Sequence, residues 1–173
     1  MRPGAVIAAA GIPGGFRAYE KLKNTDRNAM LRRMIRTFQR AGVEDIVIVT
    51  GYRAQETEKG LAKMGAAFLR YEDYETAQML DFAVRGFRYL KNSDRIFFCP
   101  ADVPLFTEDT LKAMMECATT RQARVVIPVY KERASGPDRY RTDGSNCSLQ
   151  RGAGAERSAR CFRGGNMSAS GRG

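Results

Sequence analysis

Asp102 sits in Pro100-Ala101-Asp102-Val103-Pro104, directly after the apolar run Ile96-Phe97-Phe98-Cys99. Each proline fixes its own φ and restricts the residue before it, so the carboxylate is carried on a stiff turn. A carboxylate held this way suits Mg²⁺, which takes one or two carboxylates together with phosphate oxygens and water. The same side chain can instead bond the amides of its own turn, as aspartate often does. A second group of residues points to phosphate. Gly11, Gly14 and Gly15 interrupt the chain after Ala5-Val6-Ile7-Ala8-Ala9-Ala10, and Arg17, Lys21 and Lys23 follow. Glycines let a backbone approach a ligand closely, and successive loop N–H groups form an anion-binding concavity. Lysine adds a mobile point charge. The glycine spacing matches neither G-x-x-x-x-G-K-[ST] nor G-x-G-x-x-G. Any strand-to-helix turn can hold this much glycine, and lysines ahead of a helix can simply be exposed. The residues alone leave both readings open.

Regular elements must carry these groups. Residues 5–10 form a short apolar run bounded by Gly and Pro, the pattern of a strand covered on both faces. Met30, Leu31, Met34, Ile35 and Phe38 recur at helical spacing after the cap candidates Asn24-Thr25-Asp26, and Ala41-Gly42 closes that helix. Arg27, Arg32, Arg33, Arg36 and Arg40 take its remaining faces and read as a solvated surface. Asp45-Ile46-Val47-Ile48-Val49-Thr50 is a β-branched second strand, turned by Gly51-Tyr52. A short polar helix is expected over 54–63, a weaker strand over 66–70 and an amphipathic helix from Met79 to about Leu90. Residues 95–99 form a fourth strand. Thr107 caps a further helix with Glu108 and Asp109 in its first turn, and 124–129 form a fifth strand. Strand and helix alternate throughout, which predicts a mainly parallel sheet covered by helices. Ligands in such sheets bind beyond the carboxyl ends of the strands, and both the Gly11 loop and Asp102 fall there. Tyr71, Tyr74 and Met79 border the third crossover, either packing at the rim or contacting a base or second substrate.

Composition narrows the chemistry. There is no histidine in the 173 residues, which excludes His-based triads, His zinc sites and His acid–base catalysis. Cys99, Cys117, Cys147 and Cys161 show no C-x-x-C spacing, and the first two lie in apolar contexts that suit buried thiols. The apolar runs are too short to span a membrane and the N-terminus lacks a signal-peptide core, so a cytoplasmic protein with no membrane partner is expected. A net charge of +10 suits a polyanionic partner such as a nucleotide or phosphorylated metabolite, or is simply a basic surface.

Ala8-Ala9-Ala10-Gly11, a lysine about ten residues on, Ala41-Gly42-Val43 before the second strand, Gly51-Tyr52 after it, and Pro100-Ala101-Asp102-Val103-Pro104 together resemble the MobA-like NTP transferase family. That family includes the cytidylyl- and guanylyltransferases of molybdenum cofactor synthesis. The resemblance covers about residues 4–134. It implies a three-layer α/β/α domain of the Rossmann-like nucleotide-diphospho-sugar transferase type. It also implies Mg²⁺-dependent transfer of an NMP group from an NTP, CTP or GTP, to a small phosphorylated acceptor with release of pyrophosphate. By position, the backbone around Ala9, Ala10 and Gly11, with Gly14 and Gly15, would hold the nucleotide, Lys21 would meet its phosphates and Asp102 would carry Mg²⁺. The chain departs from the family pattern at Gly15, where an arginine is usual; Arg17 lies two residues further on and Lys21 is offset by one. A nucleotide-binding module of the same fold without catalysis is the alternative.

Residues 135–173 contain no Val or Ile, and their large apolar side chains are Tyr140, Leu149, Phe162 and Met167. Such a composition cannot offset its ordering entropy, so a disordered tail following a domain over 1–134 is expected. Its basic residues are all arginine, as when a GC-rich gene is read out of frame. A frameshifted or truncated end is therefore expected from about residue 135, and sequencing the source locus tests it. Nucleic acid is not the expected partner, although an arginine–glycine tail can bind RNA.

Overall fold

The computed structural model describes residues 1–11, 24–130, 146–149 and 157–162. From Gly4 to its end, strand β1 (Pro3–Ala9) is wholly buried. It lies between β2 (Asp45–Thr50) and β4 (Arg95–Pro100), and β3 (Ala67–Arg70) flanks β2, giving the order β3-β2-β1-β4. All three pairings are parallel, with Ala5 opposite Ile46 on one side and Phe97 on the other. A strand enclosed on both faces and both edges must read as an unbroken apolar run, as Ala5 to Ala10 does.

Helix α1 (Asn24–Arg40) follows β1, and Leu31, Met34, Ile35 and Phe38 form its core stripe, none more than 1% exposed. Burying each such side chain stabilises the fold by about 1.5–3 kcal/mol. Beyond the helix the Val43 N–H donates to the Phe38 carbonyl at 3.0 Å, closing the last turn at Gly42. Helix α2 (Ala54–Leu61) lies beside α1, tied by the Arg32 guanidinium to the Gly60 carbonyl at 2.9 Å. Helix α3 (Met79–Tyr89) begins where the Gln78 N–H donates to the Asp81 carboxylate at 2.7 Å. It buries Phe82, with Leu90 just beyond its end, against Val6, Ala8, Val47 and Val49. A Cβ on Gly86 would stand 2.4 Å from Val6 Cγ1, so only glycine lets α3 lie this close to β1.

The two helices cover opposite faces. Ile96 and Phe98 of β4 border the cluster under α3, whereas Phe97, pointing the other way, meets Phe38 of α1 with ring centroids 5.7 Å apart. The result is the expected three-layer α/β/α arrangement.

The chain divides into two compact units, residues 1–108 and 109–173. Helix α4 (Glu108–Thr120) spans the division and buries Leu111, Cys117 and Ala118. Strand β5 (Val125–Tyr130) was expected in the parallel sheet. It pairs antiparallel with β7 (Arg157–Phe162), which pairs with β6 (Asn146–Leu149), in a separate three-stranded sheet. Val126 packs on Cys117 and Ala123, while Val125 and Ile127 are 53% and 47% exposed. One open face is ordinary for an antiparallel sheet, and the apolar run Val125-Val126-Ile127 hid that alternation. The β6 and β7 ladders lie within the 135–173 segment. They are made of main-chain groups, which pair whatever the side-chain composition. Cys117, expected as a buried thiol, is buried and disulfide-bonded.

Candidate functional site

Strands β1, β2 and β3 step across the sheet in one direction, and β4 then returns to the far side of β1. The reversal falls between β1 and β4, and the crevice outside the carboxyl ends at such a switch point is where open α/β sheets bind ligands. Ala8 opposite Pro100 is the last residue pair of that ladder, and the Ala101 N–H donates to the Ala8 carbonyl at 2.9 Å. Asp102 is the next residue. It is exposed, and among the described residues its carboxylate accepts no hydrogen bond and joins no ion pair. The turn is closed instead by the Val103 N–H to the Pro100 carbonyl at 3.2 Å, so Asp102 does not spend its oxygens on its own loop.

Across the switch point, Ala9 and Ala10 are buried and Gly11 is exposed. Among the described residues a Cβ on Gly11 would meet nothing within 4 Å. The structure thus brings Ala9, Ala10, Gly11 and Asp102 to one edge. Gly14, Gly15, Arg17 and Lys21 lie outside the described residues.

Several groups to which the sequence assigned no part in shaping this edge hold it in place. Strand-end carbonyls need donors. The Arg27 guanidinium donates to the Ala9 carbonyl and, at 3.4 Å, to that of Tyr52, so this arginine is partly buried rather than part of a solvated face. The Tyr52 N–H donates to the Ala10 carbonyl at 2.9 Å. Gly51 makes that approach possible, since a Cβ there would lie 2.7 Å from the Ala10 oxygen and 2.6 Å from Tyr74 Cβ. At the end of β2 the buried Thr50 hydroxyl donates to Glu58 at 2.8 Å, and Arg70 pairs with the same carboxylate at 2.6 Å. The Arg70 hydrogen bond, against the opposing effect of burial and with help from Thr50, holds the Glu58 carboxyl below its ordinary range. Arg27, Thr50, Glu58 and Arg70 are scattered over four elements and carry no local pattern, and only the paired strand ends reveal them.

Beyond β2 and β3 a cavity of about 420 Å³ opens on the same edge, lined by Gly51, Arg53, Arg70, Tyr71 and Tyr74 among others. The tyrosines pack at the rim, the first of the two roles expected of them. Tyr71 stands edge-on to Phe82 at 5.3 Å with the Arg85 guanidinium 5.5 Å from its ring, and Tyr74 meets Tyr52 at 6.4 Å, while both rings line the cavity. Met79 is 46% exposed at the start of α3. Arg53 takes a left-handed φ of 54°, costing about 1 kcal/mol, and its guanidinium pairs with Glu56 at 2.7 Å. Just inside the edge, burial first and the charge of Asp102 second push the Cys99 thiol up to about 12. Among the described residues no three His, Cys, Asp or Glu side chains converge as a metal cluster, and no helix is long and apolar enough to cross a membrane.

A sheet that reverses between its first and fourth strands, with an exposed glycine and an unengaged carboxylate at that point, suits a nucleotidyltransferase domain. The chain belongs to the MobA-like NTP transferase domain family, whose model matches residues 5–163. It is 25% identical over 129 residues to the bifunctional protein GlmU of Staphylococcus carnosus (strain TM300), a match covering 73% of this chain and 28% of that protein. The chain therefore spans little more than a quarter of that relative. Among solved structures it is similar to a nucleotidyl transferase from Methanothermobacter thermautotroptrophicus, Mth528, with a TM-score of 0.52 and 24% identity over 66% of this chain and 57% of that one. It is also similar to the CTP:phosphocholine cytidylyltransferase LicC of Streptococcus pneumoniae, with a TM-score of 0.53 and 18% identity over 94% and 72%. At these identities the structural likeness establishes the fold.

Proposed function

We propose that the chain transfers an NMP group from an NTP to a small phosphorylated acceptor and releases pyrophosphate. The observation that carries this reading is the unengaged Asp102 carboxylate, set by the Ala8–Ala101 hydrogen bond across the switch point from the exposed Gly11 at the end of β1. In the reaction an acceptor oxygen attacks the α-phosphorus, forming a new P–O bond as the bond to the bridging oxygen breaks and pyrophosphate leaves. Such in-line displacement depends on positioning and charge neutralisation rather than on a protein nucleophile, and a chain without histidine can perform it. Asp102 fits Mg²⁺ by its chemistry, being an exposed hard-oxygen donor on a stiff turn. Bound there, the ion would supply positive charge to the phosphates. Lys21 and Arg17 would add charge from the glycine loop, whose Gly14 and Gly15 amides would face the phosphates. CTP or GTP as donor, a molybdopterin-like acceptor and a cytoplasmic setting follow the family's best-known members. Residues 1–134 would carry the activity, with 135–173 as an appendage.

The test is ³¹P-detected turnover with each NTP, Mg²⁺ and a panel of phosphorylated acceptors. Pyrophosphate release that depends on Mg²⁺ and is lost in Asp102→Ala supports the reading. Binding of NTP with no release for any acceptor would leave a nucleotide-binding module instead.

A further inference from the structure

Helix α1 presents a second stripe on the side away from its core residues. Ala29, Arg32, Arg33, Arg36, Thr37 and Arg40 recur every three or four residues and so share one face over three turns. Phe106, Thr107 and Glu108 form the facing wall, and the two enclose a cleft of about 570 Å³. None of these residues belongs to the sheet edge described above. Arg32 is committed, its guanidinium donating to the Gly60 carbonyl at 2.9 Å. The guanidinium groups of Arg33, Arg36 and Arg40 are exposed and make no hydrogen bond or ion pair among the described residues. Thr107 and Glu108, across the cleft, each have a partner, and Glu108 adds one negative charge to that wall.

Like charges at these spacings repel and destabilise a helix, so Arg33, Arg36 and Arg40 gain nothing from one another. An anion in the cleft would reverse that cost. The guanidinium fork matches phosphate oxygens two at a time, which lysine cannot do. A helical rise of 1.5 Å per residue sets Arg33 and Arg40 roughly 10 Å apart along the axis, a span for several linked phosphates rather than for one. The cleft is concave and within the size of small-molecule sites, about 300–1,000 Å³, whereas a macromolecular partner would be met by a broad surface. Phe106 is half-buried, with its ring 5.0 Å from Phe38, and offers an apolar rim beside the charges.

We propose that the α1 cleft is a second anion site that binds a small molecule carrying several linked phosphates, either an inorganic oligophosphate or a nucleoside oligophosphate. The site is independent of turnover at the sheet edge. The experiment is phenylglyoxal modification of the full chain, mapped by peptide mass spectrometry, with tripolyphosphate in one arm and a nucleoside triphosphate in the other. Both arms should slow modification of Arg33, Arg36 and Arg40 at least threefold and leave Arg88 on α3 unchanged. A tenfold lower concentration sufficing for the nucleotide would identify it as the natural source; equal concentrations would identify the oligophosphate. The Arg33→Gln/Arg36→Gln variant, altered at exposed positions, should lose Arg40 protection while keeping its thermal midpoint. Equal modification rates with and without either probe would overturn the proposal. So would protection by a single-stranded oligothymidylate at concentrations where tripolyphosphate gives none, which would make the cleft a nucleic-acid groove.

Discussion

The Ala101 N–H reaches the Ala8 carbonyl at 2.9 Å, and this one bond sets where Asp102 stands. It extends the β1–β4 ladder one step beyond the Ala8–Pro100 pair, into the turn itself. The carboxylate is thus carried by the sheet rather than by a free loop, the kind of placement that gives a site its precision.

Asp102→Asn is expected to lower turnover by roughly 10²–10³, the range seen when one preorganised charge-stabilising group is lost. The thermal midpoint should hardly move, because the side chain is exposed and holds nothing together. Pyrophosphate release measured beside a melting curve separates the two. A large fall in the midpoint would give Asp102 a structural role instead.

The two glycines at this edge should respond in opposite ways. Gly51→Ala places a Cβ 2.6 Å from Tyr74 and 2.7 Å from the Ala10 oxygen, which is backbone and cannot step aside. A loss of about 1–3 kcal/mol is expected from such overpacking, read by urea denaturation. Gly11→Ala meets nothing among the described residues and should leave stability within about 0.5 kcal/mol while weakening nucleotide binding, read by titration calorimetry.

Glu58 makes a prediction about acid. Its carboxyl is held below the ordinary range by Arg70 foremost, so the folded state binds the proton less readily than the unfolded chain. Its contribution is complete above the ordinary carboxylate range, about pH 4.3, and is lost as the pH falls through the lower folded value. Between pH 6 and pH 3 the urea midpoint of the wild type should therefore fall further than that of Glu58→Gln. Equal falls would mean that the Arg70 and Thr50 bonds to Glu58 do not persist in solution.

Cys99 is expected to be inert. With its thiol pushed up to about 12, the thiolate fraction at neutral pH is about 10³-fold below that of an ordinary cysteine. Labelling by a disulfide reagent under native conditions should be slow, and should become fast in denaturant. Asp102→Asn should quicken native labelling only slightly, since burial outweighs the neighbouring charge.

The sheet and its covering helices were largely legible in the sequence because each element states its own burial. Ala5 to Ala10 read as an enclosed strand, and Leu31, Met34, Ile35 and Phe38 read as a helix with one core stripe. The place of Asp102, on a turn directly past β4, was legible because two prolines and a preceding apolar strand announce a stiff turn. Arg27 was not. Its spacing is that of the exposed arginines after it, and only the strand-end carbonyls of Ala9 and Tyr52 explain its position. The pairing of β5 with β7 was also hidden, because an apolar triplet looks the same with one face covered or two. The arginine cleft needed the fold as well. The stripe is periodic in sequence, but its facing wall comes from residues 106–108.

The central position of β1 has a cost during synthesis. Its β4 partner begins roughly 90 residues later in the chain, and at ribosomal rates that interval takes roughly 5–20 s. Through that time a strand that ends up wholly buried from Gly4 onward can be closed on one side only, by β2, with its other edge unpaired. An unpaired strand edge is prone to wrong association while it lasts, and the reversal in strand order that creates the crevice is the same feature that delays its completion.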